Sequence, residues 1–292
     1  MRGAGKEHCG LVHLILLLVA VVGLAGCGSN GGAPSTSTST STPSTSTQST
    51  SPVLRLVVIG DSIPNNSPDD CPGCTGFVDR YAKAVQTATG RSVQVANLSQ
   101  HTGLTLPGLI DELDQFRDQL AAADVIVVGI AHNSNELSAE EPCGKPLVLA
   151  VGSAVGLPDW SAMDRQCATR SAQKFAPLYD KLYTQVAAWR QGKPTILRTI
   201  NRYNDVIGAP IAQLTPAQER LTAVFVGTWN TMLCTSAKAH GFSCADIAKA
   251  FNGPDGMRPS GDLLAADYTH PSDKGNKVIA RVLADLGYGP LA

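Results

Sequence analysis

The sequence predicts an α/β domain: a three-layer sandwich in which a mostly parallel five-stranded sheet carries helices on both faces. Three observations lead there. Apolar, β-branched runs, Val53–Ile59 and Asp124–Ile130 above all, read as strands buried on both sides. Between them lie segments with apolar residues at helical spacing, such as Leu109, Leu113, Phe116 and Leu120. The two kinds alternate along the chain, as parallel strands require, because each return crossing is made by a helix.

The fold begins well inside the chain. Residues 1–26 read as an export signal: Arg2 and Lys6 give a positive start, Leu11–Leu24 is apolar, and small residues follow. The ending Leu24-Ala25-Gly26-Cys27 resembles a bacterial lipoprotein signal, cleaved before Cys27, which then carries the lipid. The apolar run is short against the ~20 residues that span a bilayer. After Cys27, residues 28–52 are Gly, Ser, Thr and Pro with Asn30, Ala33 and Gln48, and carry almost no charge, a composition that buries no core. They are expected to form a tether with a reach of ~25–30 Å. Residues 53–292 suit one large domain.

Within that domain the elements follow in order. Val53–Ile59 is the first strand. Gly76–Thr89 is a helix with Phe77, Tyr81 and Val85 on one face. Ser92–Leu98 is the second strand, Pro107–Ala122 an amphipathic helix and Asp124–Ile130 the third strand. Residues 134–169 read as a long loop or insertion. Ala176–Gln191 is a helix carrying Leu178, Leu182, Val186 and Trp189, and Thr195–Ile200 is the fourth strand. Thr215-Pro216-Ala217-Gln218 is a capping box with proline at the first helical position, and its helix runs to about Ala239. A short fifth strand is expected at Phe242–Ala245, and Pro271 opens a last helix ending near Leu286.

Without Arg2, Lys6 and Glu7, the 23 basic and 24 acidic residues become 21 and 23, a net charge of −2. No basic stripe exists, so nucleic acid is not an expected partner. Beyond Cys27 lie six cysteines: Cys71, Cys74, Cys143, Cys167, Cys234 and Cys244. An even number in an exported chain argues disulfides. Proximity suggests Cys71–Cys74, Cys143–Cys167 and Cys234–Cys244, although six cysteines allow about 15 pairings and the sequence does not choose among them. Cys71-Pro-Gly-Cys74 also has the spacing of a redox pair or half a zinc site. It lacks a second cysteine pair or histidine cluster, so no metal is expected.

Two short motifs carry the chemistry. Gly60-Asp61-Ser62 follows the first strand directly, and Asp267-Tyr268-Thr269-His270-Pro271 precedes the last helix. Together they supply a hydroxyl, an imidazole and a carboxylate in the order Ser…Asp…His. A hydroxyl is a weak nucleophile until an imidazole removes its proton, and the imidazole needs an acid to hold its tautomer. In open parallel sheets ligands bind beyond the carboxyl ends of the strands. Ser62 follows the first strand, His101–Gly103 the second and Asn133 the third, so three candidate segments share one sheet edge.

At this point the chain resembles the SGNH/GDSL hydrolase family over Val53–Ala292. Val58-Ile59-Gly60-Asp61-Ser62-Ile63 matches its first block. Asn97-Leu98-Ser99-Gln100-His101-Thr102-Gly103 and Gly129-Ile130-Ala131-His132-Asn133 sit where the second and third should be, with Ala131 and Ser134 departing from the third. Asp267–Pro271 matches the last. The resemblance implies a flavodoxin-like sheet and an exported serine esterase or lipase that forms an acyl-enzyme without a cofactor. It makes Ser62 the nucleophile, His270 the general base and Asp267 its orienting acid, with the Asn133 amide and the backbone N–H groups of Gly103 and Ser62 as oxyanion donors. The substrate would be a small-molecule, lipid or glycan ester, the protein a monomer, and Cys27 its membrane anchor on the outer face of the cell.

Plainer readings exist for each residue. Asp61 and Ser62 suit a helix cap, Asp267 and His270 a surface turn, Asn133 loop backbone and Gly103 an ordinary turn. His101 and His132 are read as polar loop residues. A non-catalytic binding lipoprotein is the competing function, but it leaves the Ser…Asp…His pattern unexplained.

Overall fold

The structure is a computed structural model that describes residues 52–101, 104–132, 146–147, 157–158, 164–210 and 214–292. The export signal, the tether, Cys27, Gly103, Asn133 and Cys143 lie outside the described residues.

The chain runs β1 (Leu54–Gly60), α1 (Ser62–Asn65), α2 (Phe77–Thr89), β2 (Val93–Asn97) and α3 (Leu106–Glu112). A 3-10 turn (Leu113–Phe116) leads to α4 (Arg117–Ala122) and β3 (Val125–Gly129). After the short β4 (Pro146–Leu147) and β5 (Leu157–Pro158) come α5 (Arg165–Trp189), β6 (Ile196–Ile200), α6 (Pro216–Ala239), β7 (Ser243–Ala245), α7 (Ile247–Asn252) and α8 (Asp273–Ala284). The main sheet has strand order β2-β1-β3-β6-β7, and every pairing in it is parallel. This is the expected five-stranded α/β sandwich.

Alternation along the strands builds two cores. Val57, Ile59, Ile126 and Val128 face one side, where α3, α5 and α6 supply Leu109, Tyr179, Leu182 and Trp229. Leu56, Val58, Val125 and Val127 face the other, against Phe77, Tyr81, Phe251 and Ile279 of α2, α7 and α8. Each fully buried Leu, Ile or Val contributes about 1.5–3 kcal/mol.

The structure departs from the sequence expectations in four places. The helix expected at Pro107–Ala122 is interrupted by the 3-10 turn. The tighter turn leaves Phe116 only partly buried and returns Leu120 to the core. α5 starts at Arg165, well before Ala176 and inside the segment read as a loop. Asp164 caps it by accepting the Cys167 N–H, and Cys167, Ala168, Ser171, Ala172 and Phe175 are buried along it. Pro177 removes one helical donor, but Pro177 and Gln173 are exposed, so water can serve the orphaned carbonyl. β4 and β5 also pair antiparallel within the expected loop. Finally, α1 and α7, at four and six residues, are too short for a periodicity to reveal.

Cys71–Cys74 and Cys234–Cys244 are disulfide-bonded, as proximity suggests. Cys167 is also in a disulfide; the expected partner, Cys143, lies outside the described residues.

Candidate active site

β1 delivers Ser62 at the carboxyl edge of the sheet. Gly60 pairs in register with Gly129 of β3, and a Cβ on Gly60 would lie 2.2 Å from the Gly129 carbonyl oxygen. Only glycine lets the two strands stay this close at the turn. The chain then reverses into α1. Asp61, 1% exposed, accepts the Ile63 N–H at 3.0 Å with one carboxylate oxygen and the His132 N–H at 3.1 Å with the other. The capping reading therefore holds for Asp61, while Ser62 is the first residue of the helix it caps. The Asn97 amide donates to the Pro64 carbonyl at 2.7 Å, and the Asn65 amide to the Ser99 carbonyl at 2.8 Å. α1 is thus pinned to the end of β2.

The segment before α8 brings His270 to Ser62. The Ser62 Oγ lies 2.9 Å from the His270 Nε2, and the His270 Nδ1 lies 2.5 Å from the Asp267 Oδ2. A carboxylate only accepts, so Nδ1 carries the proton and Nε2 keeps its lone pair for the serine hydroxyl. The other Asp267 oxygen accepts the N–H groups of Thr269 and His270, each at 3.0 Å. That tight turn holds Tyr268 at a φ of 60°. The buried Tyr203 hydroxyl donates to the Thr269 carbonyl at 2.6 Å, fixing the turn from below. Asn276, fully buried in α8, accepts the Phe77 N–H at 2.9 Å and donates to the Asn66 Oδ1 at 3.0 Å. It joins α8 to α2 and to the end of α1.

Burial alone would pull the His270 pKa down. The Asp267 hydrogen bond and charge, then the charges of Asp70 and Asp61, outweigh it and raise the pKa above the ordinary imidazole value. For Asp267, burial works against the charge. The bond from His270 and the two backbone N–H groups prevail, so it stays below the usual carboxylate value.

A family model described as GDSL-like lipase/acylhydrolase matches residues 58–278. The chain belongs to this GDSL-like family. Solved structures agree on the fold. A lipase from a goat rumen metagenome superposes with a TM-score of 0.60 at 19% identity, covering 82% of this chain and all of its own. A phospholipase A1 from Streptomyces albidoflavus has a TM-score of 0.53 at 16% identity, with 80% of this chain and 99% of that one covered. An extracellular lipase from Streptomyces rimosus also gives 0.53, at 15% identity over 80% of this chain and all of its own. No curated protein sequence matches. As a GDSL-like hydrolase, the protein is a carboxylic ester hydrolase.

In this GDSL-like chain the structure brings Ser62, His270 and Asp267 together from opposite ends of the domain. It describes neither Gly103 nor Asn133, although their neighbours His101 and His132 follow β2 and β3. His132 differs from its reading as a polar loop residue. Its ring packs 4.2 Å from the Tyr203 ring, both ring nitrogens are buried with no hydrogen bond among the described residues, and burial, then Arg202 and His270, hold its pKa well below the ordinary value. It is a neutral packing ring beneath the turn. The sequence also gave no sign of Tyr203, Asn276 or Asp70, whose roles arise from tertiary contact.

Asp70, Asp267 and His270 each place a potential ligand atom within 4.8 Å of the others. A cation there would compete for the ring nitrogens that Ser62 and Asp267 engage. A cavity of about 600 Å³ lies elsewhere, lined by Asn201, Val226, Asn230, Asp246, Ala248 and Asn252 among others and by none of the three.

Proposed function

We propose that this ester hydrolase works through an acyl-enzyme on Ser62. The unbroken chain from the Ser62 Oγ through His270 to Asp267 is the observation that carries this reading. His270 takes the hydroxyl proton as the Ser62 Oγ bonds the ester carbonyl carbon. It then gives that proton to the departing alcohol, and a water repeats the sequence in reverse to release the acid. Asp267 holds the tautomer and balances the imidazolium without taking the proton. The Ser62 and Gly103 N–H groups and the Asn133 amide receive the carbonyl oxygen as it gains charge, each donor being worth about 3–4 kcal/mol.

The substrates in this reading are lipid or glycan esters. The family description supports the lipid case, and the printed names of the lipase and phospholipase neighbours point the same way. The N-terminal residues support export, with cleavage before Cys27, lipid attachment there, and residues 27–52 as the tether to the outer membrane face. Among the described residues no helix is long and apolar enough to cross a membrane.

The test is Ser62→Ala. It should keep the thermal unfolding profile and lose turnover of a short p-nitrophenyl ester. A fluorophosphonate should label the wild type at Ser62 and nowhere else. Full activity in the variant, or labelling of another residue, would remove the assignment.

A further inference from the structure

We infer that Asp70 is a second carboxylate of the acid–base unit, one that stabilises the protonated His270 from its Nε2 side. Two observations point there. The Asp70 Oδ2 lies 3.5 Å from the His270 Nε2, the nitrogen facing Ser62. That same oxygen is buried and accepts no hydrogen bond from the described residues. A buried carboxylate oxygen without a donor is costly, and native structures rarely keep one without a use. Here the donor is supplied during turnover. When the Ser62 proton moves to Nε2, the new N–H has the departing oxygen on one side and the Asp70 Oδ2 on the other. Contacts of this kind are often long in the free enzyme and tighten on reaction.

The surroundings hold Asp70 in place for this. Its other oxygen lies 3.1 Å from the His101 Nε2, which orients the carboxylate and leaves the Oδ2 turned to His270. The Asp70 N–H donates to the Ser67 carbonyl at 3.1 Å, and the next residue is Cys71, closed to Cys74. The loop is therefore stapled just outside the serine turn. Asp70 only accepts a hydrogen bond in this step; the proton itself travels from Ser62 to His270 and on to the leaving alcohol.

Among the described residues, the charged and titratable groups facing His270 are Asp267 on its own turn, Asp61 at the cap of α1, Asp70 on the stapled loop and His132 after β3. The three carboxylates favour imidazolium. Removing Asp70 leaves Asp267 and Asp61 as counter-charges, so the unit weakens without collapsing.

This inference rests on the proposed triad chemistry, and the experiment separates the two. The kcat/KM profile against pH is measured with a neutral p-nitrophenyl ester for the wild type, Asp70→Asn and Asp69→Asn. Asp69 is an exposed neighbour on the same loop. In Asp70→Asn the acidic limb should move to lower pH, because His270 loses a counter-charge. The kcat/KM plateau should fall by about tenfold, the value of one hydrogen bond to a charged group. Asp69→Asn should leave the limb in place. Asp70→Ser gives the same readout should the asparagine variant fail to fold. An unmoved limb in a folded Asp70 variant, or an equal shift in Asp69→Asn, overturns the role of Asp70. A wild type inert on every ester tried overturns the triad reading as well.

Discussion

Tyr203→Phe isolates the support beneath the catalytic turn. The ring sits between Phe251, at 4.5 Å, and His132, at 4.2 Å, and phenylalanine keeps both contacts. Only the hydroxyl is lost, and with it the 2.6 Å bond to the Thr269 carbonyl. Thr269 is partly exposed, so water can reach the abandoned carbonyl and the loss belongs at the lower end of the range, about 1 kcal/mol. For a domain of this size that is a fall in Tm of about 2–4 °C. The effect on activity should be larger. Thr269 stands between Asp267 and His270, and loosening it lets the imidazole drift from the Ser62 Oγ. A drift of a fraction of an ångström should lower kcat by about tenfold with little change in KM. Thermal unfolding and steady-state kinetics on one preparation test both parts. A lowered Tm with unchanged kcat would show that the bond serves the fold alone. A loss of more than about 3 kcal/mol would show that the carbonyl is not reached by water.

Four other outcomes follow from the structure. The proposed mechanism needs neutral His270, whose pKa is raised, so kcat/KM should rise with pH through a value above 6.5, and Asp267→Asn should bring that limb down. The pair also sets stability in opposite senses. The His270 share is present below the unfolded imidazole value and fades as pH climbs through the folded one. The Asp267 share is present above 3.8, the ordinary carboxylate value, and fades as pH falls through the lowered one; unfolding scans across pH check both. Replacing Cys234 and Cys244 together by alanine should cost about 2–3 kcal/mol, as expected for a loop of this length, read by denaturant unfolding. Asn133→Ala should lower kcat by ~100–1000-fold with KM little changed, while Asn135→Ala should not; the reverse result would shift the third block by two positions.

Much of this was legible because the signals were local. β1 and β3 are runs of apolar residues with few polar interruptions, Ser62 sits in a short motif at the end of β1, and Asp267–His270 sits in another just before α8. The capping box at Thr215 fixed the start of α6 within a residue. What escaped depends on neighbours distant in sequence. α5 extends past an exposed proline because the residues before it bury against the core, and a sequence window sees only the proline. His132 looks like any loop histidine until Tyr203 and β3 enclose it. Asp70 is one acid among many until the turn before α8 brings His270 beside it.

The two halves of the catalytic pair are 208 residues apart in the chain, and Asn276 of α8 is what clips the later half to the earlier. A growing or clipped polypeptide that has formed β1 and α2 but lacks the last helix presents a serine with no partner to activate it. Ester cleavage is therefore a property of the finished molecule alone. Turnover therefore reports that the last helix has docked.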